Sequence, residues 1–440
     1  MDQKIKEQQE KREARRKRRI RNQVIAYIVL VVLILLMAGG IVYGVQYLTQ
    51  KGEENEQVKQ GQVDQMVGTE ESLEVPSGSE TTTEPVIELT PAQKLDEIVN
   101  AGIEVMPLED KVAGLFVVTP ESITGVSTAV KAGDGTKQAL TKYSVGGIIY
   151  NTRNIQNESQ FKEMIDTTKL YANYPLFIAV EDEGGSVSPL EEKGLAEKQK
   201  GAADLGTAGD ADAVRAVGEN IGTYLAAYGF NLNLAPVADL NSVKNSVMAK
   251  RSYGDSADAV SQLVSAMVEG LESKKIDTCL KHFPGMGSTT QNTDTGLAST
   301  DRSAEDFRAN EFVVFQSGID AGADMVMVSH MAAPSLSGDN TPCSMSSTVV
   351  TDILRNEMGF DGVIITDAMN LKAISEYYSA DEAAVLALKA GCDMILMPED
   401  FEKAYNGVLE AVQNGVISEE RINDSLRRVY RIKYADRVSE

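Results

Sequence analysis

Histidine is almost missing from this 440-residue chain: there are two, His282 and His330, alongside three cysteines and no tryptophan. Two histidines exclude a three-histidine zinc centre. Cys279, Cys343 and Cys392 are too far apart for the paired spacing of a structural zinc site. They also make no obvious disulfide framework, and Cys279 and Cys392 lie in apolar, strand-like contexts, so buried free thiols are expected. No Gly-x-Gly-x-x-Gly pattern that could cradle a phosphate is present, and no motif implies a cofactor. No internal repeat of fixed period is found. Acid–base chemistry therefore falls on carboxylates, which are plentiful: Asp and Glu number 65 against 42 Lys and Arg, a net charge of −23.

The basic residues are unevenly placed. Residues 1–22 are a basic tail carrying runs such as Arg15-Arg16-Lys17-Arg18-Arg19, whereas Asn22 to Gln50 has no charged side chain. The apolar stretch Val24 to Val45, at about 1.5 Å per helical residue, reaches roughly 33 Å, enough to cross a bilayer core. Residues 23–46 are thus expected to form a single-pass transmembrane anchor. The basic flank places the N-terminus in the cytoplasm and the rest outside. Met37-Ala38-Gly39-Gly40 is a poor signal-peptide cleavage site. Residues 47–89, rich in Glu, Gln, Ser, Thr and Gly, read as a flexible acidic linker. With the basic tail on the other side of the membrane, the exported part is strongly acidic. That excludes nucleic acid as a partner, since backbone binding needs clustered Lys and Arg.

From residue 90 to about 437, short apolar runs alternate with amphipathic segments, the pattern of parallel strands joined by helices. Eight strands are predicted: Leu115–Val118, Gly147–Tyr150, Leu176–Val180, Leu232–Ala235, Thr278–Lys281, Met325–Val328, Val363–Thr366 and Met394–Met397. Helical patterns cover Ala211–Tyr228, Ala257–Lys274, Ala304–Ala321, Ser346–Met358, Ala380–Ala390 and Glu419–Tyr434. The whole fits a (β/α)8 TIM-type barrel, with the last helix closing it.

Such barrels place their chemistry just after the strands. Here the third strand runs into Glu181-Asp182-Glu183-Gly184-Gly185, the fourth into Pro236 and Asp239, and the fifth into Lys281-His282-Phe283-Pro284-Gly285. The sixth ends at Ser329-His330 and the seventh at Asp367. Asp367 can serve as a nucleophile toward an anomeric carbon, or simply cap the following helix. His330 reads as a structural hydrogen-bonding residue.

Several of these stretches resemble glycoside hydrolase family 3. They are Lys281 to Gly285, the Glu-Gly-Gly after the third strand, Gly229 to Asp239, Lys250 to Gly254, Ala323 to His330, and Gly359 to Gly362 leading to Asp367. The resemblance is nearest to the family's single-barrel β-N-acetylhexosaminidases. It implies a retaining mechanism with Asp367 as nucleophile, and sugar contacts from Glu181, Arg251, Lys281 and His282. The chain departs from the family at three places: Ser186 stands where Arg is usual, Met286 where His is usual, and the loop's Asp-Ser-His element reads Asp294-Thr295-Gly296. The acid/base histidine of that element is thus missing, and Asp294 is the expected replacement.

The expected function is that of a membrane-anchored, extracytoplasmic β-N-acetylhexosaminidase acting on N-acetylhexosamine-containing glycans such as cell-wall fragments. The alternative is a catalytically degenerate barrel that binds glycans or an envelope partner without turnover. A barrel glucosidase of the same family fits less well, because those relatives usually take their acid/base from a second domain.

Overall fold

The computed structural model describes residues 89–435, and the expected tail, anchor and most of the linker lie outside the described residues. Among the described residues no helix is long and apolar enough to cross a membrane.

Eight parallel strands close into a barrel in sequence order: β1 (Phe116–Val118), β2 (Gly147–Ile149), β3 (Phe177–Val180), β4 (Leu232–Asn233), β5 (Asp277–Phe283), β6 (Met325–Val328), β7 (Val363–Ala368) and β8 (Met394–Leu396). Each coincides with a predicted run. Closure is made by β1 pairing with β8, Phe116 opposite Ile395 and Val117 opposite Leu396. Strand side chains alternate inward and outward. The inward set, including Val117, Ile149, Phe177, Ala179, Cys279, Met325, Ile365 and Met394, packs the barrel axis. The outward set, such as Phe116, Ile178, Leu280 and Ile364, packs under the helices in a second, larger cluster.

The helical layer follows the predicted segments at Ala211–Tyr228, Ala257–Glu272, Ala380–Ala390 and Glu419–Tyr434. Two predictions are corrected in form. The Ala304–Ala321 segment is broken by a π-helical turn at Phe307–Glu311, and Thr348–Glu357 is wound as a π-helix. Further helices with no predicted counterpart include Pro91–Glu104, Glu158–Tyr171 and Phe401–Gln413. Asn157 and Asp400 cap the latter two, accepting from the backbone N–H of Gln160 and Lys403.

The last helix seals the N-terminal end of the barrel, as its sequence suggested. Val429 packs with the interior set, and Ser425 donates to the buried Asp393 Oδ1 at 2.7 Å. Lys433 is half-buried, donates to the Gly146 carbonyl at 2.6 Å and lies 4.6 Å from the centre of the Phe177 ring. Burial pulls its ammonium down to about 7, with Asp277 opposing. With that end plugged by the last helix, the open end of the barrel among the described residues is the C-terminal rim. All three cysteines are buried and unpaired.

Candidate active site

The inward phase of the strands sets the site. Phe177 and Ala179 point into the barrel, so Glu181, two residues on, does too; Cys279 leads in the same way to Lys281, and Val363 and Ile365 to Asp367. Three strands thus deliver two carboxylates and a cation to one end of the axis.

Lys281 is fully buried and bridges two carboxylates, its Nζ lying 2.6 Å from Glu181 Oε1 and 2.7 Å from Glu183 Oε1. Arg251 reaches in from the long loop after β4, with Nε 2.9 Å from Glu183 Oε2 and Nη2 3.1 Å from Glu181 Oε1. Burial alone would push the Glu183 carboxyl up, but Lys281 and Arg251 outweigh it and hold Glu183 well below the usual carboxylate range. Burial likewise works against the Lys281 ammonium, and Glu181 and Glu183 more than restore it, so its affinity for a proton is raised. Glu183 and Lys281 therefore stay ionised as a pair through the neutral range. Glu181 remains partly open to solvent, whereas Glu183 is buried. Glu181 is thus the carboxylate that faces an incoming ligand.

His282 is held from behind. Its Nδ1 donates to Asp239 Oδ2 at 2.7 Å, and the other oxygen of Asp239 accepts from the Met286 N–H at 2.6 Å. That pairing fixes the tautomer and leaves Nε2 for a ligand. His330 is engaged at both nitrogens: Nδ1 accepts from the Ser344 hydroxyl at 2.8 Å and Nε2 donates to the Ala368 carbonyl at 3.1 Å. Burial lowers its proton affinity, so it is a neutral strut under the Asp367 segment.

Asp367 is half-buried at the end of β7, with Oδ1 accepting from the Ala368 N–H at 2.7 Å. Asp367 near the end of β7 and Lys281 near the end of β5 both stand at the C-terminal mouth of the closed parallel barrel. Asp294 stands apart. It is exposed, on the loop after β5, and its Oδ2 accepts from Asn292 Nδ2 at 3.2 Å while its N–H donates to Asn292 Oδ1 at 2.9 Å. Between the two, Thr293 is buried, and its carbonyl accepts from the Ala373 N–H, just past Asp367, at 3.1 Å. The side-chain pair on this loop is thus Asn292 with Asp294, an i, i+2 spacing like that of the Asp and His in Asp-Ser-His.

A cleft of about 770 Å³ opens on the same rim, lined by residues behind β1, β2, β3, β7 and β8, including Glu121, Asn151, Arg153, Glu181, Ser188, Asn370 and Glu399. Glu181 joins it to the Lys281 cluster. Of the site residues, sequence reasoning did not single out the ion pairing of Glu183 or the backing role of Asp239. Both follow strands directly, which was the available signal. The β1, β2 and β8 wall carried no motif.

A sequence profile described as the glycosyl hydrolase family 3 N terminal domain matches residues 107–432. The chain belongs to glycosyl hydrolase family 3. Among its family relatives, a protein named beta-hexosaminidase A from Pseudoalteromonas piscicida is 29% identical over 326 residues, which is 67% of this chain and 54% of that protein. A beta-hexosaminidase from Tolumonas auensis is 32% identical over 287 residues, covering 63% of this chain and 82% of its own. Among solved structures, a family 3 beta-N-acetylglucosaminidase from Paenibacillus sp. str. FPU-7 superposes with a TM-score of 0.72 at 34% identity, over 76% of this chain and 64% of that one. The match thus spans little more than half of the Pseudoalteromonas protein.

Proposed function

We propose that this family 3 chain is a retaining β-N-acetylhexosaminidase-type hydrolase of N-acetylhexosamine-containing glycans, cell-wall fragments among them. In this reading residues 23–46 anchor it in the cell membrane, N-terminus inside and barrel outside. The observation that carries the catalytic reading is the buried Lys281, gripped by Glu181 and Glu183 at the same barrel mouth as Asp367. A cation and carboxylates fixed by one another form a rigid set of donors and acceptors for sugar hydroxyls, and Asp367 is a carboxylate beside it.

In this mechanism Glu181, Arg251, Lys281 and His282 hold the sugar. A carboxylate oxygen of Asp367 attacks the anomeric carbon, and the bond to the leaving oxygen breaks as that oxygen takes a proton from Asp294. Asp294, now ionised, takes a proton from water, which attacks the anomeric carbon and releases Asp367. Asn292 donates to Asp294 and so steadies the carboxylate between these steps. Because Asp294 lies on an exposed loop, that loop must fold inward over bound sugar for the transfer to occur.

The test compares an aryl N-acetyl-β-glucosaminide carrying a good leaving group with chitobiose. Asp367→Asn should abolish turnover of both. Asp294→Ala should lower the rate on chitobiose by about 10²- to 10⁴-fold and affect the aryl substrate far less. Full chitobiose activity in Asp294→Ala would remove Asp294 from the mechanism. Tight glycan binding with no turnover by the unaltered protein would favour the non-catalytic barrel.

A further inference from the structure

Past Glu181 the cleft runs along the ends of β1, β2 and β8, where its wall carries Glu121, Glu192 and Glu399 against a single cation, Arg153. Two of these carboxylates are occupied within the wall. Glu121 accepts from Asn154 Nδ2 at 2.7 Å and from the Ala129 N–H at 2.9 Å, and faces Arg153 at 3.4 Å. Glu192 accepts from the Thr152 hydroxyl at 3.0 Å. Glu399 is exposed on the cleft wall and makes no hydrogen bond or ion pair among the described residues.

Its mounting is fixed at both ends. The Met397 N–H donates to the Val117 carbonyl at 2.8 Å, and Asp400 caps helix Phe401–Gln413 by accepting from the Lys403 N–H at 3.0 Å. Between them Met397 is held at φ +42°, immediately before Pro398. A bulky residue preceding proline prefers an extended backbone, so this left-handed turn persists only because its surroundings impose it. Strain of this kind gathers where a chain must present a group to a ligand. What this turn presents is Glu399, on the cleft wall shared with Asn370, which follows Asp367 in the chain.

The geometry points to Glu399 as a specificity-determining substrate contact: it accepts a hydrogen bond from a hydroxyl or ammonium group on the unit attached to the sugar held at Lys281. This rests on the glycosidase reading for that first sugar. A cleft of this volume holds more than one ring. A free carboxylate forms its strongest hydrogen bonds with charged donors, and it repels a second carboxylate brought close to it, an effect that solvent weakens at an exposed position. The attached unit is therefore neutral or amine-bearing, as in an N-acetylated or de-N-acetylated hexosamine, in preference to a sugar carrying a lactyl carboxylate.

The experiment measures calorimetric binding to the full chain carrying Asp367→Asn, so that turnover does not consume the ligand. Three disaccharides are compared, each with N-acetylglucosamine at the non-reducing end, joined to glucosamine, N-acetylglucosamine or N-acetylmuramic acid. Affinity should fall in that order, by roughly two- to fivefold per step at low ionic strength, and the steps should narrow at high salt. Glu399→Gln added to the same background should collapse the order. Glu410→Gln, which removes the same charge from the exposed face of an outer helix, should preserve it. Equal binding of all three, tighter binding of the carboxylate-bearing disaccharide, survival of the order in Glu399→Gln, or no binding of any of them would overturn the assignment. If the order holds while the unaltered protein cleaves none of the three, Glu399 keeps its role and the catalytic reading fails instead.

Discussion

Asp182 lies between the two carboxylates that grip Lys281, yet its side chain turns away from them. It is fully buried, accepting from the Ser188 hydroxyl at 2.9 Å, the Tyr224 hydroxyl at 3.0 Å and the Gly184 N–H at 3.2 Å. The Asn233 side-chain amide clamps its backbone on both sides, accepting from its N–H at 2.9 Å and donating to its carbonyl at 2.8 Å. Asp182 thereby sets the peptide orientation that aims Glu181 and Glu183 at Lys281. Burial pushes its carboxyl up to about 7, against the pull of Ser188, Gly184 and Tyr224. The native chain therefore keeps this proton at a pH where the unfolded chain, with an ordinary aspartate, has lost it. Stability falls as pH rises from about 4 to 7 and is flat above that, because both states are then ionised. Asp182→Asn removes this titration while keeping a hydrogen-bonding group in place. The drop in unfolding free energy between pH 5 and pH 8, read by urea denaturation, should shrink by about 2–3 kcal/mol relative to the parent. An unchanged drop would mean that Asp182 does not hold the proton. The sequence showed Asp182 at the strand end but gave no sign of its facing Tyr224, a residue on a helix 42 positions away.

The elements legible in the sequence were those with a clean period. The strands were visible because apolar runs of four or five residues, buried on both faces, stand out from polar loops. Helices such as Ala211–Tyr228 were visible through their 3.6-residue stripe. Glu158–Tyr171 was not, because Phe161, Met164 and Ile165 are its buried apolar positions in a largely polar segment. Loop-to-loop docking was equally hidden, and the segment after β5 depends on it. The Ser242 N–H donates to the Gly287 carbonyl at 3.1 Å, and the Val247 N–H to the Thr289 carbonyl at 3.1 Å, pinning this loop to the one after β4. At Gly287 a Cβ atom would stand 1.6 Å from the Leu240 carbonyl oxygen, a clash with backbone that no side-chain shift relieves. Gly287→Ala should therefore destabilise the chain by about 1–3 kcal/mol and weaken sugar binding, because it separates the loops that carry Arg251 and Asp294. Gly102→Ala is the companion measurement. A Cβ there meets nothing within 4 Å, and the site is helical, so its thermal midpoint should hold or rise. Equal midpoints for the Gly287 variant and the parent would show that the two loops can part without cost.

At the scale of the whole molecule, eight strands in order implied a barrel, and the strand ends then gave Glu181, Lys281, His282 and Asp367 a common rim. The cleft wall built from β1, β2 and β8 stayed invisible because Thr119, Asn151 and Glu399 are brought together only by closure of the sheet. Closure itself depends on the far end of the chain. Asp393, fully buried beneath β8, takes hydrogen bonds from Arg355 Nη2 at 2.6 Å and from the Ser425 hydroxyl at 2.7 Å, with Arg421 and Arg428 at 3.6 and 3.4 Å. Three of those four partners belong to helix Glu419–Tyr434, which also buries Ile422, Leu426 and Tyr430. A chain ending at Ile417 would leave the Asp393 carboxylate with Arg355 and the Ile364 N–H only, and would expose the apolar floor of the barrel. Breaking a buried charged network of this kind costs about 3–5 kcal/mol before the lost apolar contacts are counted, a large share of a typical domain's stability. The shortened chain should therefore lack a cooperative thermal transition. Residues 89–435 alone, retaining that helix, should melt in a single transition and bind N-acetylglucosamine. A cooperative melt in the chain lacking Glu419–Tyr434 would show that the barrel closes without its floor, and that the Asp393 network serves something other than closure.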